Sequence, residues 1–148
     1  MSTLPEVLAD ERALRNLVLL YARAVDRNDP ALFESLFVED ALLEGPGFRA
    51  AGLDEIRAIP GSLVQKFNGT MHCVFNQTVE IAGDTAQGET YCIAYHGIRG
   101  EDGRPMTLDW AIRYQDRFAR RGPEWRIAYR RLVVEWTRTG PVELLPAI

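Results

Sequence analysis

Four long strand-like segments, separated only by short turns, make up the second half of the chain. They span about 69–82, 85–99, 105–120 and 124–138, and each of the turns between them contains glycine. Each segment is far longer than the five or six residues of a typical strand. Strands of this length in a small domain must twist and bend, so the segments predict a curved antiparallel meander with a concave face.

The beginning of the chain carries the apolar stripe of a helix that could cover this concave face. The stripe predicts a helix from about Leu4 to Arg27 and consists of residues at helical spacing: Leu14, Leu17, Val18, Tyr21 and Val25. With the meander, it predicts a single domain over residues 1–148, of the α+β class. We expect a cone-shaped, curved antiparallel sheet that wraps around N-terminal helices and encloses a pocket.

Shorter elements are predicted between the first helix and the meander. Asn28 can end the first helix, and Asp29 followed by Pro30 is a typical start for a second, short helix that ends near Phe37. A short strand is predicted near residues 41–44, before the glycine-rich stretch GPGFRAAG. Residues 53–67 have a helical pattern, which a Pro-Gly pair at positions 60 and 61 interrupts.

Composition and charge argue against nucleic acid and membranes as partners of the chain. The formal net charge is -4 and the charged side chains are mixed along the chain, so we expect no nucleic-acid binding. The longest apolar run, LVLLYA, is too short to span a membrane, and the acidic N-terminus lacks a secretion signal, which predicts a cytoplasmic protein. Cys73 and Cys92 have no CxxC spacing, and we expect small buried thiols.

The two histidines of the chain, His72 and His96, both lie within predicted strands. Asp26 ends the first helical pattern, where a carboxylate is poorly placed for stability because a helix C-terminus carries partial negative charge. An aspartate and a histidine that meet in a pocket form a general base, which makes Asp26 and His72 candidate catalytic residues. The structural alternative is a solvated helix-end aspartate and an ordinary strand histidine.

The register of the first hairpin decides whether His96 can join His72. Regular pairing around a two-residue turn at Gly83 and Asp84 would place His72 opposite Tyr95 and turn His96 to the other face. One extra residue, as in a β-bulge, would place His72 opposite His96. Strongly bent sheets commonly contain bulges, so we predict one in this hairpin.

The first long strand alternates between two chemically different faces. One face is mixed and the other is apolar: His72, Val74, Asn76, Thr78 and Glu80 share the first, and Met71, Cys73, Phe75, Val79 and Ile81 share the second. If the mixed face lines the pocket, the apolar face is left in water in a monomer, which predicts a homo-oligomer through the outer sheet face. Alternatively, the apolar face packs on the helices and His72 faces solvent.

Several stretches of the chain carry a family resemblance: YARAVDRND with LFVEDA, MHCVFNQTVEIAGDTA, the strand with His96, RYQDRFARR, and EWRIAYRRLVVEW. Together they resemble the SnoaL-like branch of the nuclear transport factor 2-like superfamily over nearly the whole chain. The resemblance implies a cone-shaped α+β fold with a deep pocket, and dimers or trimers. Members include scytalone dehydratase, bile-acid 7α-dehydratase and lindane dehydrochlorinase, and other members only bind ligands.

The resemblance also implies catalytic roles for individual residues. Asp26 and His72 are similar to the aspartate–histidine pair that the dehydratases and the dehydrochlorinase share. Tyr21 is similar to a helix tyrosine of the bile-acid enzyme, and His96 to the second pocket histidine of scytalone dehydratase. Tyr21 also lies on the apolar stripe, so a core position with a hydrogen-bonded hydroxyl is the structural alternative.

Substrate contacts are implied in the same way. Asn76 has the spacing from the strand histidine that an asparagine has in the dehydrochlorinase. An arginine on the last strand is typical, but Arg130 and Arg131 point to opposite faces and the alternation does not choose between them. Phe48 lacks the hydroxyl of the second water-binding tyrosine of scytalone dehydratase, which argues against scytalone as the substrate. Trp110 is either a packing residue or a substrate platform.

The residues and the resemblance together predict a cofactor-independent lyase. We expect a dehydratase that removes water from a small apolar, oxygenated or aromatic molecule through the Asp26–His72 pair, with no metal, because neither HExxH nor a comparable ligand spacing occurs. One alternative is an isomerase or carbon–carbon lyase that uses the same pair. A non-catalytic module that binds a small ligand is the other.

Overall fold

The structure is a computed structural model that describes residues 1–146. It contains four helices and six strands within these residues. The helices are α1 (Leu4–Asp26), α2 (Pro30–Ser35), α3 (Leu53–Arg57) and α4 (Ile59–Lys66). The strands are β1 (Phe37–Gly45), β2 (Phe48–Ala51), β3 (Thr70–Ala82), β4 (Thr85–Arg99), β5 (Pro105–Arg121) and β6 (Glu124–Pro141).

The boundaries of α1 follow from local sequence signals. The Glu6 carboxylate accepts a hydrogen bond of 2.7 Å from the backbone N–H of Thr3, which caps the first turn. At the other end, Asn28 adopts a left-handed conformation with φ of 49°, which ends the helix directly after Asp26. The predicted stripe is buried, as expected: Leu14, Leu17, Val18, Tyr21 and Val25 all lie in the core.

The second helix and the interrupted third helix also follow the sequence. The Asp29 side chain caps α2 by accepting a hydrogen bond from the Leu32 amide at 2.9 Å, and Pro30 is its first residue. The helical pattern at 53–67 forms two helices that meet at Ala58, because Pro60 fits only in the first turn of α4.

One curved, unclosed sheet contains all six strands, in the order β2-β1-β6-β5-β4-β3. The four long strands form the predicted antiparallel meander, which confirms the α+β fold. Two features were not predicted. The glycine-rich stretch forms a short hairpin in which β2 pairs with β1, and β1 pairs with β6 in parallel.

The predicted bulge lies in the first hairpin, but the extra residue is in β3. Gln77 pairs with Thr90 in the regular half of the hairpin, and Val74 pairs with Cys92 beyond the bulge. Two residues of β3 therefore oppose one residue of β4. His72 consequently lies opposite Ala94, and the prediction that it lies opposite His96 was wrong. His72 and His96 nevertheless share the inner face as diagonal neighbours. Ala94 lies opposite His72, and His96 is two residues further along β4, so it points to the same face.

The bulge also divides the apolar face that was predicted for β3. Met71 and Phe75 lie on the outer face and are 63% and 50% exposed, whereas Val79 and Ile81 pack against the core beyond the bulge. Thr78 and Glu80, predicted to face inward with His72, are exposed. Cys92 is buried, Cys73 is half-buried, and both are free thiols. Among the described residues, no helix has the length and hydropathy that crossing a membrane would require.

Candidate functional site

A cavity of about 220 Å³ lies between the inner face of the sheet and the helices α1 and α4. Its walls are mostly aliphatic and aromatic, and its polar groups are few. The lining residues are Tyr21, Val25, Pro46, Gly47, Phe48, Ile59, Ser62, Leu63, Lys66, Phe67, His72, His96, Trp110, Ile112 and Leu132. A largely apolar cavity with a few polar groups is typical of a small-molecule site.

Asp26 and His72 form a hydrogen-bonded pair at one wall of this cavity. The His72 Nδ1 lies 2.7 Å from Oδ1 of Asp26, and the backbone N–H of the same histidine donates to Oδ2 at 2.9 Å. Thr70 donates a third hydrogen bond to Asp26, from its hydroxyl to Oδ1 at 2.8 Å. The His72 side chain is 6% exposed and the Asp26 side chain 21% exposed. The carboxylate lies behind the imidazole, which lines the cavity.

The charge of Asp26 fixes the tautomer of His72. Burial raises the pKa of Asp26, but the hydrogen bonds from the His72 ring, the His72 amide and Thr70 outweigh burial and hold the pKa below its ordinary value. An ionised carboxylate only accepts hydrogen bonds, so the Nδ1 of His72 carries the proton. In the neutral imidazole, Nε2 then has a free lone pair and can act as a base.

His96 is the second polar group in the lining. Its ring centroid lies 6.1 Å from that of His72, and the rings of Phe67 and Trp110 pack against it at 4.5 and 5.1 Å. Its Nδ1 donates to the backbone carbonyl of Leu108 at 3.0 Å. Burial lowers the pKa of His96, so the ring is neutral at pH 7 and its Nε2 is a hydrogen-bond acceptor.

Tyr21 lines the cavity from α1, and its ring packs against a buried ion pair. Arg130 donates to both carboxylate oxygens of Asp116 at 2.7 Å, and both side chains are fully buried. The Arg130 guanidinium lies 4.3 Å from the ring centroid of Tyr21 and 4.0 Å from that of Tyr114. Burial raises the pKa of Tyr21 to about 12 against the opposing charge of Arg130, so its hydroxyl keeps its proton at neutral pH.

A family model described as SnoaL-like domain matches residues 6–131 of the chain. The chain belongs to this family. The SnoaL-like domains are part of the nuclear transport factor 2-like superfamily, which the fold also supports. No curated protein matches the sequence significantly.

Solved structures of similar fold include proteins with and without an assigned activity. A hexachlorocyclohexane dehydrochlorinase from Novosphingobium barchaimii has a TM-score of 0.85 at 16% identity, with 98% of this chain and 100% of that chain covered. A protein from Novosphingobium aromaticivorans, provisionally named scytalone dehydratase, has a TM-score of 0.79 at 24% identity, with 98% and 95% covered. A protein of unknown function from Mycobacterium tuberculosis has a TM-score of 0.78 at 24% identity, with 91% and 77% covered. These likenesses show the fold.

Five of the predicted site residues line the cavity of this SnoaL-like domain: Tyr21, Phe48, His72, His96 and Trp110. Asp26 contacts His72 from behind. Arg130 faces inward, but Asp116 holds it outside the lining, and Arg131 is exposed on the opposite face. The structure therefore does not bring either arginine into the cavity.

Asn76 also lies outside the cavity, because it belongs to the bulge. Its side chain is exposed, and the neighbouring Gln77 takes the inward position opposite Thr90. The spacing of Asn76 from His72 predicts a shared face only in a regular strand.

Sequence reasoning missed three polar residues of the site: Thr70, Ser62 and Lys66. Thr70 lies two positions before His72, so strand alternation would have placed it on the same face. Lys66 lies four positions after Ser62 in α4, so helical spacing would have placed both on one face. Within residues 1–146, no three histidine, cysteine or acidic side chains are grouped so that they could hold a metal ion.

Proposed function

We propose that this SnoaL-like domain is a cofactor-independent lyase that eliminates water from a small β-hydroxy carbonyl compound. One observation carries the proposal: the imidazole of His72, held by Asp26 at 2.7 Å, lines a mostly apolar cavity. The provisional name of one structural neighbour and the dehydrochlorinase name of another agree with elimination chemistry.

The first step is removal of the proton next to the carbonyl group. The Nε2 of His72 accepts this proton, and the electron pair of the broken C–H bond becomes part of an enolate. Asp26 stabilises the imidazolium that forms, because the carboxylate stays ionised beside Nδ1. The protonated hydroxyl of Tyr21 is the candidate donor to the developing oxyanion.

The second step is loss of the β-hydroxyl group. The enolate electrons form the carbon–carbon double bond as the C–O bond breaks, and the proton held by His72 passes to the leaving hydroxide to give water. His96 is neutral and accepts at Nε2, so it orients the substrate hydroxyl and does not protonate it. Acid–base catalysis of this kind contributes on the order of 10² to 10⁴ in rate.

The cavity volume limits the size of the substrate. A buried apolar cavity of about 150 Å³ holds benzene in a well-studied case. A volume of about 220 Å³ therefore fits a single ring with a few substituents. We expect one-ring compounds to bind, and fused-ring compounds to require an enlarged cavity.

The test uses 3-hydroxycyclohexanone first and then a panel of one-ring β-hydroxy ketones and esters. Wild type should form the unsaturated product with loss of water, detected by mass spectrometry and by the absorbance of the conjugated carbonyl. His72→Gln should lower kcat/KM by at least about 10²-fold, with an unchanged circular dichroism spectrum. Turnover that His72→Gln leaves intact would exclude the proposed base.

The same experiment separates the two alternative functions. An isomerase would give a product with the same mass as the substrate. A carbon–carbon lyase would give two smaller products. A ligand-binding module would bind panel members without turnover, and His72→Gln would then change only the affinity.

A homo-oligomer through the outer sheet face is the accompanying proposal. The exposed apolar side chains on that face support it: Met71, Phe75, Tyr91 and Trp136. Light scattering at micromolar concentration should give a dimer or trimer mass, and a monomer mass at all concentrations would contradict the proposal.

A further inference from the structure

The chain contains a single lysine, Lys66, and this lysine lines the cavity. Apart from the two histidines, the other basic side chains are arginines, and none of the arginines in the described part of the chain lines the cavity. A lysine ammonium is a compact point charge on a flexible stem, whereas an arginine is a rigid planar fork. Lys66 therefore gives the cavity a basic group of a kind that occurs nowhere else in the molecule.

Lys66 is the last residue of α4, whose inner face forms one side of the cavity. Ile59, Ser62, Leu63 and Lys66 lie on this face at helical spacing. The Ser62 hydroxyl donates to the Ile59 carbonyl at 2.8 Å, so its proton is already engaged. The Lys66 side chain is exposed and makes no salt bridge within the described residues. It lies at the cavity mouth as an available cationic donor.

The charges at the cavity lining favour an anionic ligand. None of the described residues that line it carries a carboxylate, although acidic side chains outnumber basic ones in the chain, 21 to 17. The Asp26 carboxylate lies outside the lining and is hydrogen-bonded to His72. An anionic substituent is therefore attracted to the Lys66 ammonium, and no carboxylate among the described lining residues repels it.

From this arrangement we infer that the cavity takes a one-ring compound with a carboxylate substituent, and that Lys66 is the residue that binds the carboxylate. The ring enters between the aromatic walls and the carboxylate stays at the mouth, where it remains partly hydrated. The reacting carbons then face His72. The inference rests on the proposed function for turnover, but the binding preference itself does not depend on catalysis.

A matched pair of probes tests the inference: phenylacetate and its neutral analogue, phenylacetamide. The side-chain signals of the two histidines report binding in ¹⁵N–¹H spectra, and His72→Gln and His96→Gln assign them. Wild type should bind phenylacetate about two- to fivefold more tightly than phenylacetamide at low salt, as expected for a partly exposed ion pair. The preference should vanish in Lys66→Met. It should also shrink in 0.5 M NaCl, because the Debye length, ~10 Å at 0.1 M salt, becomes shorter as the salt concentration rises and exposed charges are screened. The control Arg121→Gln removes one exposed charge outside the cavity lining and should leave the preference unchanged.

Two negative outcomes are distinguishable. Equal affinity for both probes in wild type, or a preference that persists in Lys66→Met, overturns the role of Lys66 and leaves the dehydratase proposal standing. If neither probe moves either histidine signal at 10-fold excess over about 1 mM protein, the inference is overturned together with the one-ring cavity on which the proposed function rests.

Discussion

Two carboxylates each hold a basic side chain at the inner face of the same sheet, and the two pairs differ in what surrounds them. Asp116 and Arg130 are fully buried, joined by two hydrogen bonds, and enclosed by the rings of Tyr21 and Tyr114. Asp26 and His72 are joined by one side-chain hydrogen bond, and the imidazole borders the cavity.

The difference separates a structural pair from one that can do chemistry. An arginine stays protonated under all ordinary conditions, so the Asp116–Arg130 pair cannot exchange protons with a ligand. An imidazole can accept or pass on a proton through its second ring nitrogen, and Asp26 leaves that nitrogen of His72 free. A charged pair on the inner face is therefore a candidate catalytic site only when its base can exchange a proton and reaches a cavity.

Breaking the buried pair should give the largest effect on stability. Arg130→Met leaves the Asp116 carboxylate buried without a partner, which should reduce the free energy of unfolding by about 3–5 kcal/mol. For a chain of this size, that corresponds to a fall in Tm of roughly 10 °C. Calorimetry or denaturant unfolding measures the change.

The matched control replaces both partners. Arg130→Met with Asp116→Leu removes the unpaired charge and should recover most of the lost stability. If the free energy of unfolding of Arg130→Met alone lies within about 1 kcal/mol of the wild-type value, the buried pair does not hold the two tyrosine-bearing elements as the structure indicates.

Asp26 should contribute a pH-dependent part of the stability. Its pKa is held below the ordinary value, so the contribution is present above about pH 4 and is lost as the pH falls through the lowered pKa. Asp26→Asn should therefore be less stable than wild type at pH 7, and the difference should shrink in acid. Urea unfolding between pH 7 and pH 2 measures it, and a difference that grows in acid would contradict the direction assigned to the pKa.

Thr70 should have the smallest effect, since it supplies one of the three hydrogen bonds to Asp26. Thr70→Val keeps the shape and the strand preference of the side chain and should cost about 0.5–1.5 kcal/mol. It should also raise the pKa of Asp26 toward its ordinary value, which NMR titration of the carboxylate measures. Thr78→Val, at an exposed position of the same strand, is the control and should change neither quantity.

Much of the fold could be predicted because it depends on local patterns. Helix α1 follows from one apolar stripe and the left-handed Asn28, and the meander follows from four long segments with glycine turns. The pairing of Asp26 with His72 could also be anticipated, because a carboxylate at a helix C-terminus needs an external partner.

The remaining features depend on contacts between distant parts of the chain. The parallel pairing of β1 with β6 joins residues 87 to 90 positions apart, and no local pattern encodes it. Alternation places Arg130 and Arg131 on opposite faces, but only the position of Asp116 on the neighbouring strand determines which arginine is buried. The bulge in the first hairpin could be anticipated from curvature, whereas the strand that holds its extra residue could not.

The bulge at Phe75 and Asn76 gives the two halves of β3 opposite phases. Even-numbered side chains face the cavity before it, and odd-numbered side chains face the core after it. Deleting one of these two residues would leave one residue on each strand between the Val74–Cys92 and Gln77–Thr90 pairs, so both halves of β3 would keep their partners and His72 would stay in the cavity. The extra residue therefore adds bend and twist to β3, and it can be lost without changing the set of side chains that the strand offers to a ligand.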